Sequence, residues 1–216
     1  MRILLALVSI IAMLTVTGCS SAYYETLEKF GIEKRDLLID RVEDARNAQG
    51  DASEQFADAL DQFRATVSVG AADLEESYER LDSEYEDSKE SAQAVSDRID
   101  EVKRVSDDLF DEWDDELDDY ADASLKKRSS AMLEETRARY ETLIAAMEKA
   151  ESSMFPVLEA FEDQVLILKH NLNSRAIGAL KGELAVIERD TQSLIAEMQR
   201  SISEADAFLK SFRAGA

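Results

Sequence analysis

The sequence predicts an all-α protein: an elongated antiparallel helical bundle or coiled coil of about four long helices. Apolar residues recur at steps of three and four along most of the chain, the spacing of one face of an amphipathic helix. The 216 residues include one proline and seven glycines, so little of the chain is suited to turns. Alternating runs rich in Val, Ile and Thr, which mark strands, are nearly absent, and we therefore expect no sheet.

The first 18 residues predict a signal peptide. Arg2 supplies a positive charge, and Ile3–Val16 is an apolar run broken only by a serine and a threonine. A helix needs about 20 apolar residues to cross a bilayer, so this run is too short to span one. Its length and flanking residues suit an export signal.

The end of this signal resembles the processing site of bacterial lipoproteins. Gly18 is a small residue directly before Cys19, and Cys19 is the only cysteine of the chain. We expect cleavage before Cys19 and a covalent lipid on its thiol, with no other cofactor. Ser20 stands where an inner-membrane retention signal would carry Asp, which favours an outer-membrane lipoprotein facing the periplasm. Residues 19–216 are then a single elongated helical domain.

The first two predicted helices carry long apolar rows. The first runs from about Tyr23 to Thr66 and continues through Gly50 without a change of phase. A turn is predicted near Gly70. The second has nearly seven uninterrupted heptads, typical of coiled-coil or long-bundle packing. Its two rows are Leu74, Leu81, Ser88, Val95, Val102 and Leu109, and Tyr78, Tyr85, Ala92, Ile99, Ser106, Trp113 and Tyr120.

A change of heptad phase predicts a break near residues 121–124, with Ser124 capping the third helix. That helix runs to about Asn173 and contains Pro156, which is expected to kink it. Ser174 is predicted to cap the fourth helix. Four segments of similar length suggest an up-down bundle, and a monomer can bury all four apolar stripes. A homo-oligomeric coiled coil stays an alternative, because heptads alone do not set the number of strands.

The charge of the chain limits its partners. It has 47 Asp and Glu against 25 Lys and Arg, a net charge of −22. Phosphate contacts need clustered Lys and Arg, so a general nucleic-acid-binding role is not expected. Electrostatic binding to anionic lipid is disfavoured for the same reason, and any membrane attachment is expected through the acyl chains on Cys19.

The most acidic stretch lies between residues 107 and 122, with ten carboxylates and no basic residue. A helix spreads such side chains around its surface, which favours a solvated face over a Ca²⁺ site, and we expect no bound metal. A basic surface of a partner protein is the functional alternative for this stretch. The candidate residues are Asp107, Asp108, Asp111, Glu112, Asp114, Asp115, Asp118 and Asp119, beside Glu116 and Asp122.

Charges alternate in sign in the first helix, close to the predicted lipid. Lys34, Arg35, Asp40 and Arg41 belong to this segment. An exposed face of ion pairs three and four residues apart is the simpler interpretation. A membrane-proximal docking surface for an envelope protein is the alternative.

Two further features have structural interpretations. His170 is the only histidine and lies near a predicted helix end, so no His cluster exists for zinc. Gly178 and Gly182 form a G-x-x-x-G pattern, which predicts a close contact between two helices.

Several stretches resemble a family of bacterial lipoproteins of unknown function, domain of unknown function 2959. The likeness covers essentially the whole chain after the signal. It implies an envelope lipoprotein and brings no enzymatic residues with it. The stretches are Ser21–Glu25, Lys29–Arg46, Ser88–Ala92, Leu109–Trp113 and Leu168–Gly178.

The sequence contains no phosphate-binding G-x-x-x-x-G-K-[ST] motif, no nucleophile elbow and no metal cluster, so we expect no enzyme. The leading hypothesis is a lipid-anchored periplasmic rod that acts as a scaffold, spacer or adaptor and presents its acidic surface at a distance from the lipid. The alternative is a protein that binds an apolar envelope ligand between its helices.

Overall fold

Four long α-helices build the described part of the chain. The computed structural model describes residues 33–68 and 74–214. Helix α1 spans Lys34–Ser68, α2 spans Leu74–Glu116, α3 spans Ala123–His170 and α4 spans Ser174–Ala214, with a 3-10 turn at Leu117–Asp119 after α2. No strand occurs in these two ranges. The predicted all-α bundle is confirmed.

The helices pack in a ring around the main core. Helices α1 and α3 each pack along both α2 and α4. Neighbouring helices are antiparallel: as residue numbers rise along one helix, the numbers of the residues that it contacts fall along the next. From α1 to α2, Lys34 pairs with Glu112 and Gln55 bonds to Glu84. The arrangement is the up-down topology expected for short connections.

The predicted apolar rows form this core. On α2, Leu81, Val95, Ile99 and Val102 are completely buried. Corresponding rows on α1, α3 and α4 also point inward, and a continuous α1 runs through Gly50. Tyr120 is an exception to the predicted seam: it follows the 3-10 turn and is 41% exposed.

The cap of α3 differs from the prediction. Helix α3 begins at Ala123, and its cap is Asp122 rather than Ser124. The Asp122 carboxylate accepts hydrogen bonds from the backbone N–H groups of Ser124 and Leu125, at 2.7 and 3.2 Å. Helix α4 begins at Ser174, and the Asn173 side chain accepts a bond from the backbone N–H of Arg175. A carboxylate that meets free N–H groups also complements the helix dipole.

The prediction of a close helix contact at Gly178 and Gly182 is wrong. Both glycines lie on the exposed side of α4, and a methyl group built on either would touch nothing within 4 Å. The core side of this part of α4 is instead supplied by Ile177 and Leu180. Helix α3 continues through Pro156 as one element. None of the described helices is both long and apolar enough to cross a membrane.

Candidate functional site

The two ends of the bundle differ. At one end α1 begins and α4 finishes, while α2 and α3 continue past them. Lys34 Nζ lies 3.1 Å from Glu112 Oε1 of α2, and Arg35 donates to the Phe212 carbonyl of α4 at 2.9 Å. We call this the hairpin end, and residues 113–129 the hairpin extension. The 3-10 turn at its tip packs on α2 and α3.

A small second core holds the hairpin extension together. Phe110, Leu117 and Leu133 are buried there, apart from the main core, and Trp113 and Tyr140 pack against them. The Trp113 indole N–H donates to Ser129 Oγ at 2.8 Å. Phe110 and Tyr140 meet edge to face, with ring centroids 5.4 Å apart. Such pairs stabilise beyond the area they bury, so the extension is an ordered part of the fold.

A cavity of about 370 Å³ opens at the base of the extension, where all four helices meet. Arg35 lines it, with the guanidinium 5.3 Å from the centre of the Phe212 ring. Seven of the fourteen described residues that line it are charged, among them Glu33, Glu116 and Arg139. Small-molecule sites are mostly apolar with a few polar groups, and this cavity carries more charge than that. Its apolar lining comes from Leu109, Trp113, Met132, Phe208 and Phe212.

The acidic stretch lies at this same end. Cys19 lies outside the described residues, so the expected distance between the acidic surface and the lipid stays a prediction. Three of its carboxylates form ion pairs within the bundle: Glu112 with Lys34, Asp114 with Arg137 at 2.9 Å, and Asp118 with Lys126 at 2.8 Å. Asp108 is half-buried and also engaged, whereas Asp107, Asp111, Asp115 and Asp119 are exposed.

The exposed carboxylates do not converge. Within the described ranges, no group of three or more His, Cys, Asp or Glu side chains is positioned to hold a metal ion. The Lys126 ammonium, bonded to Asp118, holds the pKa of that carboxyl below its ordinary value. Partly paired and spread in this way, the stretch offers a polar surface to solvent or to a partner.

The candidate docking residues of α1 mostly hold the bundle together. Lys34 and Arg35 reach α2 and α4, as described above. Arg41 pairs with Asp44 one turn away at 3.1 Å, and its Nε lies 3.7 Å from Glu101 of α2. Asp40 is exposed. Most of these charges therefore connect helices, and a docking role for them stays a prediction.

A second surface was missed by the sequence reasoning. It lies on the outer side of α3 and α4, towards the end opposite the hairpin. Leu166 and Val186 are 43% and 40% exposed there, beside a shallow depression that His170 borders. Both are apolar residues outside the heptad rows, and this position could have indicated an exposed apolar surface from the sequence. We call Ala160, Leu166, Ile167, Ala179 and Val186 the distal patch.

The Asp122 cap gives the hairpin a pH dependence. Hydrogen bonds from the Ser124 hydroxyl and from two backbone N–H groups hold the pKa of Asp122 below its ordinary value. A depressed folded-state pKa means that the stabilisation is complete above the unfolded-state value of about 3.9 and is lost as pH falls through the folded-state pKa. Asp122→Ala should therefore lower the thermal midpoint at neutral pH and differ progressively less from the native protein below about pH 4.

The measurement is thermal unfolding of both proteins between neutral pH and acid, followed by Trp113 fluorescence. Asp119→Ala is the matched control, since Asp119 is exposed and lies outside the cap. A midpoint difference for Asp122→Ala that stays constant into acid would show that the carboxylate charge is not what stabilises α3.

Cys19 and the predicted signal peptide lie outside the described residues, as do Val69 and Gly70 of the predicted first turn. The lipid therefore stays a prediction from sequence. The helical start predicted at Tyr23 also precedes the first described residue, Glu33.

Comparison with known proteins identifies a family. No curated protein and no solved structure matches the chain. A family model described as "Protein of unknown function (DUF2959)" matches residues 23–212, which include all four helices except the last residues of α4. The chain belongs to the DUF2959 family.

Proposed function

We propose that the protein is a lipid-anchored spacer or adaptor of the cell envelope. A rod with two unlike ends is suited to hold one end at a membrane and to offer the other to a partner protein. The topology of the bundle supports this proposal most directly. Helix α1 starts at the hairpin end, so a lipid on Cys19 would attach the bundle there. The distal patch would then face away from the bilayer.

The dimensions suit a spacer. At 1.5 Å per residue, the 48 residues of α3 span about 70 Å, longer than the thickness of a bilayer. Ion pairs between helices fasten neighbours along this length, among them Arg46 with Asp206 at 3.1 Å and Lys103 with Glu148 at 2.6 Å. Such a rod keeps its two ends at a fixed separation.

The distal patch is the better candidate for a protein contact. Exposed apolar side chains grouped beside one depression are typical of interaction surfaces. The acidic stretch is the other candidate, through Asp107, Asp111, Asp115 and Asp119, and it would meet a basic partner close to the membrane. Charge reversal of these four residues distinguishes the two candidate surfaces. It leaves the distal patch intact, so a partner that still binds after the reversal does not depend on the acidic stretch.

The anchor is tested by Cys19→Ser in cells. The native protein should fractionate with membranes and carry the mass of a lipid, and the variant should lose both properties. Ser21→Ala is the neighbouring control and should leave mass and fractionation unchanged, because it keeps the thiol. Unchanged mass and fractionation of Cys19→Ser would remove the lipid from the proposal.

The spacer role is tested by a photoreactive residue at Leu166, with one at Lys127 of the hairpin extension for comparison. A partner should be captured from Leu166, and Val186→Lys should abolish that capture while the helical circular dichroism signal is kept. Capture that survives Val186→Lys would rule out the distal patch as the docking surface.

An apolar-ligand carrier is the second candidate, favoured by the cavity at the hairpin end. The main core is filled by large side chains such as Phe56, Phe63 and Phe161, so a ligand would enter at the hairpin end. Mass spectrometry of organic extracts of the purified protein distinguishes a carrier from a spacer. A stoichiometric lipid in addition to the anchor supports a carrier.

A further inference from the structure

The shallow depression beside the distal patch, which we call the distal depression, has an acidic lining. Asp163 of α3 and Glu183 of α4 are exposed and border it, and neither forms an ion pair with a described residue. Lys169 and Lys181 are close in sequence but do not line the depression. Two carboxylates without a cation create a negative potential there, which attracts a positive charge from outside the bundle.

The two carboxylates stand level with each other across the groove between α3 and α4. The ion pair between Lys149 and Glu197, at 3.0 Å, aligns the two antiparallel helices. Asp163 follows Lys149 by fourteen residues, and Glu183 precedes Glu197 by fourteen. Since fourteen residues are about four helical turns, both positions keep this alignment and lie on nearly the same helix faces. A cation that enters the groove therefore has a carboxylate on each side.

A buried amide oxygen indicates the same place independently of charge. Gln164 follows Asp163 in sequence and lines the distal depression, and its residue is only 5% exposed. Its Oε1 has no hydrogen-bond partner among the described residues. A buried acceptor without a donor is costly, so a donor supplied from outside the bundle is stabilising.

An arginine side chain fits this set of acceptors. Its guanidinium is planar and permanently charged and has five N–H donors, so it can bond to two carboxylates and an amide oxygen together. Leu166 and Val186, both partly exposed, adjoin these acceptors. They suit the apolar face of the segment that carries the arginine.

We propose, on the basis of the docking role proposed above for the distal patch, that the distal depression binds an arginine side chain of a partner protein. Asp163, Glu183 and Gln164 hold the guanidinium, and the apolar segment around the arginine packs on the distal patch. A second copy of this chain is disfavoured as the occupant, because two chains that each have a net charge of −22 repel each other.

His170 is the only histidine of the chain and borders the depression, so its imidazole proton resonances report on the site without overlap. The probes are n-butylguanidinium and n-butylurea, a neutral compound of nearly the same shape. In untagged full-length protein at constant pH and ionic strength, butylguanidinium should shift the His170 resonances saturably. Its dissociation constant should be at least about tenfold lower than that of butylurea, because charge-assisted hydrogen bonds are the stronger ones.

Asp163→Asn combined with Glu183→Gln should remove the preference for butylguanidinium, and Gln164→Met should weaken its binding. Glu204→Gln is the matched control, because Glu204 is exposed on α4 and does not line the depression. It should leave the affinity unchanged. Circular dichroism verifies that every variant keeps the helical bundle. Equal affinities for the two probes, or unchanged butylguanidinium binding in the double amide variant, would overturn the proposal.

Photocrosslinking from Leu166 in cells distinguishes this proposal from the docking role of the distal patch. Capture of the partner should fall in the double amide variant and persist in Glu204→Gln. Capture that Val186→Lys abolishes but the double amide variant keeps would overturn the arginine site and leave docking intact. Saturable butylguanidinium binding without any capture from Leu166 would support the site and contradict the docking role.

Discussion

Phe161→Ala is expected to lower the free energy of unfolding by about 3–5 kcal/mol, the usual cost of removing a fully buried phenylalanine. Phe161 of α3 is completely buried, and its ring meets Phe63 of α1 edge to face, with centroids 6.2 Å apart. Helices α1 and α3 lie diagonally across the bundle, so this pair fills its centre. An alanine there leaves a cavity that four rigid helices cannot close.

The measurement is urea unfolding followed by circular dichroism. Phe155→Ala is the matched control: the same substitution six residues earlier on α3, at a side chain that is 53% exposed, with an expected change within about 0.5 kcal/mol. Since single domains are stable by only about 5–15 kcal/mol, Phe161→Ala is expected to remove a large part of the total. A cost for Phe161→Ala no larger than that of the control would contradict the central position of this ring.

Gln49→Met is expected to stabilise the bundle by about 1–3 kcal/mol, the penalty of an unsatisfied buried polar group. Gln49 occupies a seam position of α1 and is completely buried, and neither its amide oxygen nor its amide nitrogen has a hydrogen-bond partner in the described part of the chain. Methionine has a similar length and flexibility and no polar group to desolvate. The change therefore removes a cost without opening a cavity.

The alignment of α1 with α4 shows which residues lie near Gln49. The Arg46–Asp206 pair aligns α1 with α4 so that Gln49 lies within about one turn of Ser201. Ser201 Oγ is likewise buried without a partner among the described residues, as is Thr191 Oγ1 farther along α4. Gln199→Met is the control, because Gln199 is exposed on α4. A loss of stability in Gln49→Met would mean that the amide is bonded in solution, through an internal water for example.

Polar seam residues of this kind affect the choice of structure as well as its stability. A buried polar group in a helical seam disfavours registers that would leave it against apolar neighbours. If Gln49 has this role, Gln49→Met gains stability but also forms oligomers, which size-exclusion chromatography with light scattering would reveal. The same measurement on the native protein decides between the monomeric bundle and a homo-oligomer.

Much of the fold was determined by the sequence alone. Buried residues such as Leu81, Val95, Ile99 and Val102 were all predicted from their spacing. A helix repeats every 3.6 residues whatever it packs against, so apolar rows identify its inner face before any partner is known. The break between α2 and α3 was also visible, because the heptad phase changes there.

Other features depended on contacts between helices. Local pairs were predicted for the charges of α1, but Lys34 reaches Glu112 of α2, and Arg41 reaches Glu101 of α2 as well as Asp44 on its own helix. Nor does a G-x-x-x-G pattern reveal whether it faces a neighbour, and Gly178 and Gly182 face outward. A helical period fixes which residues share a face, whereas charge partners depend on the register between helices.

The sequence by itself determined that this protein is a bundle of long amphipathic helices, because hydrophobic periodicity is a local property of the chain. Only the tertiary structure decided that the acidic stretch, the start of α1 and the cavity meet at one end, with the distal patch at the other. These placements depend on which helices are neighbours and on how far each extends, and both are set by the packing of side chains that lie far apart in sequence.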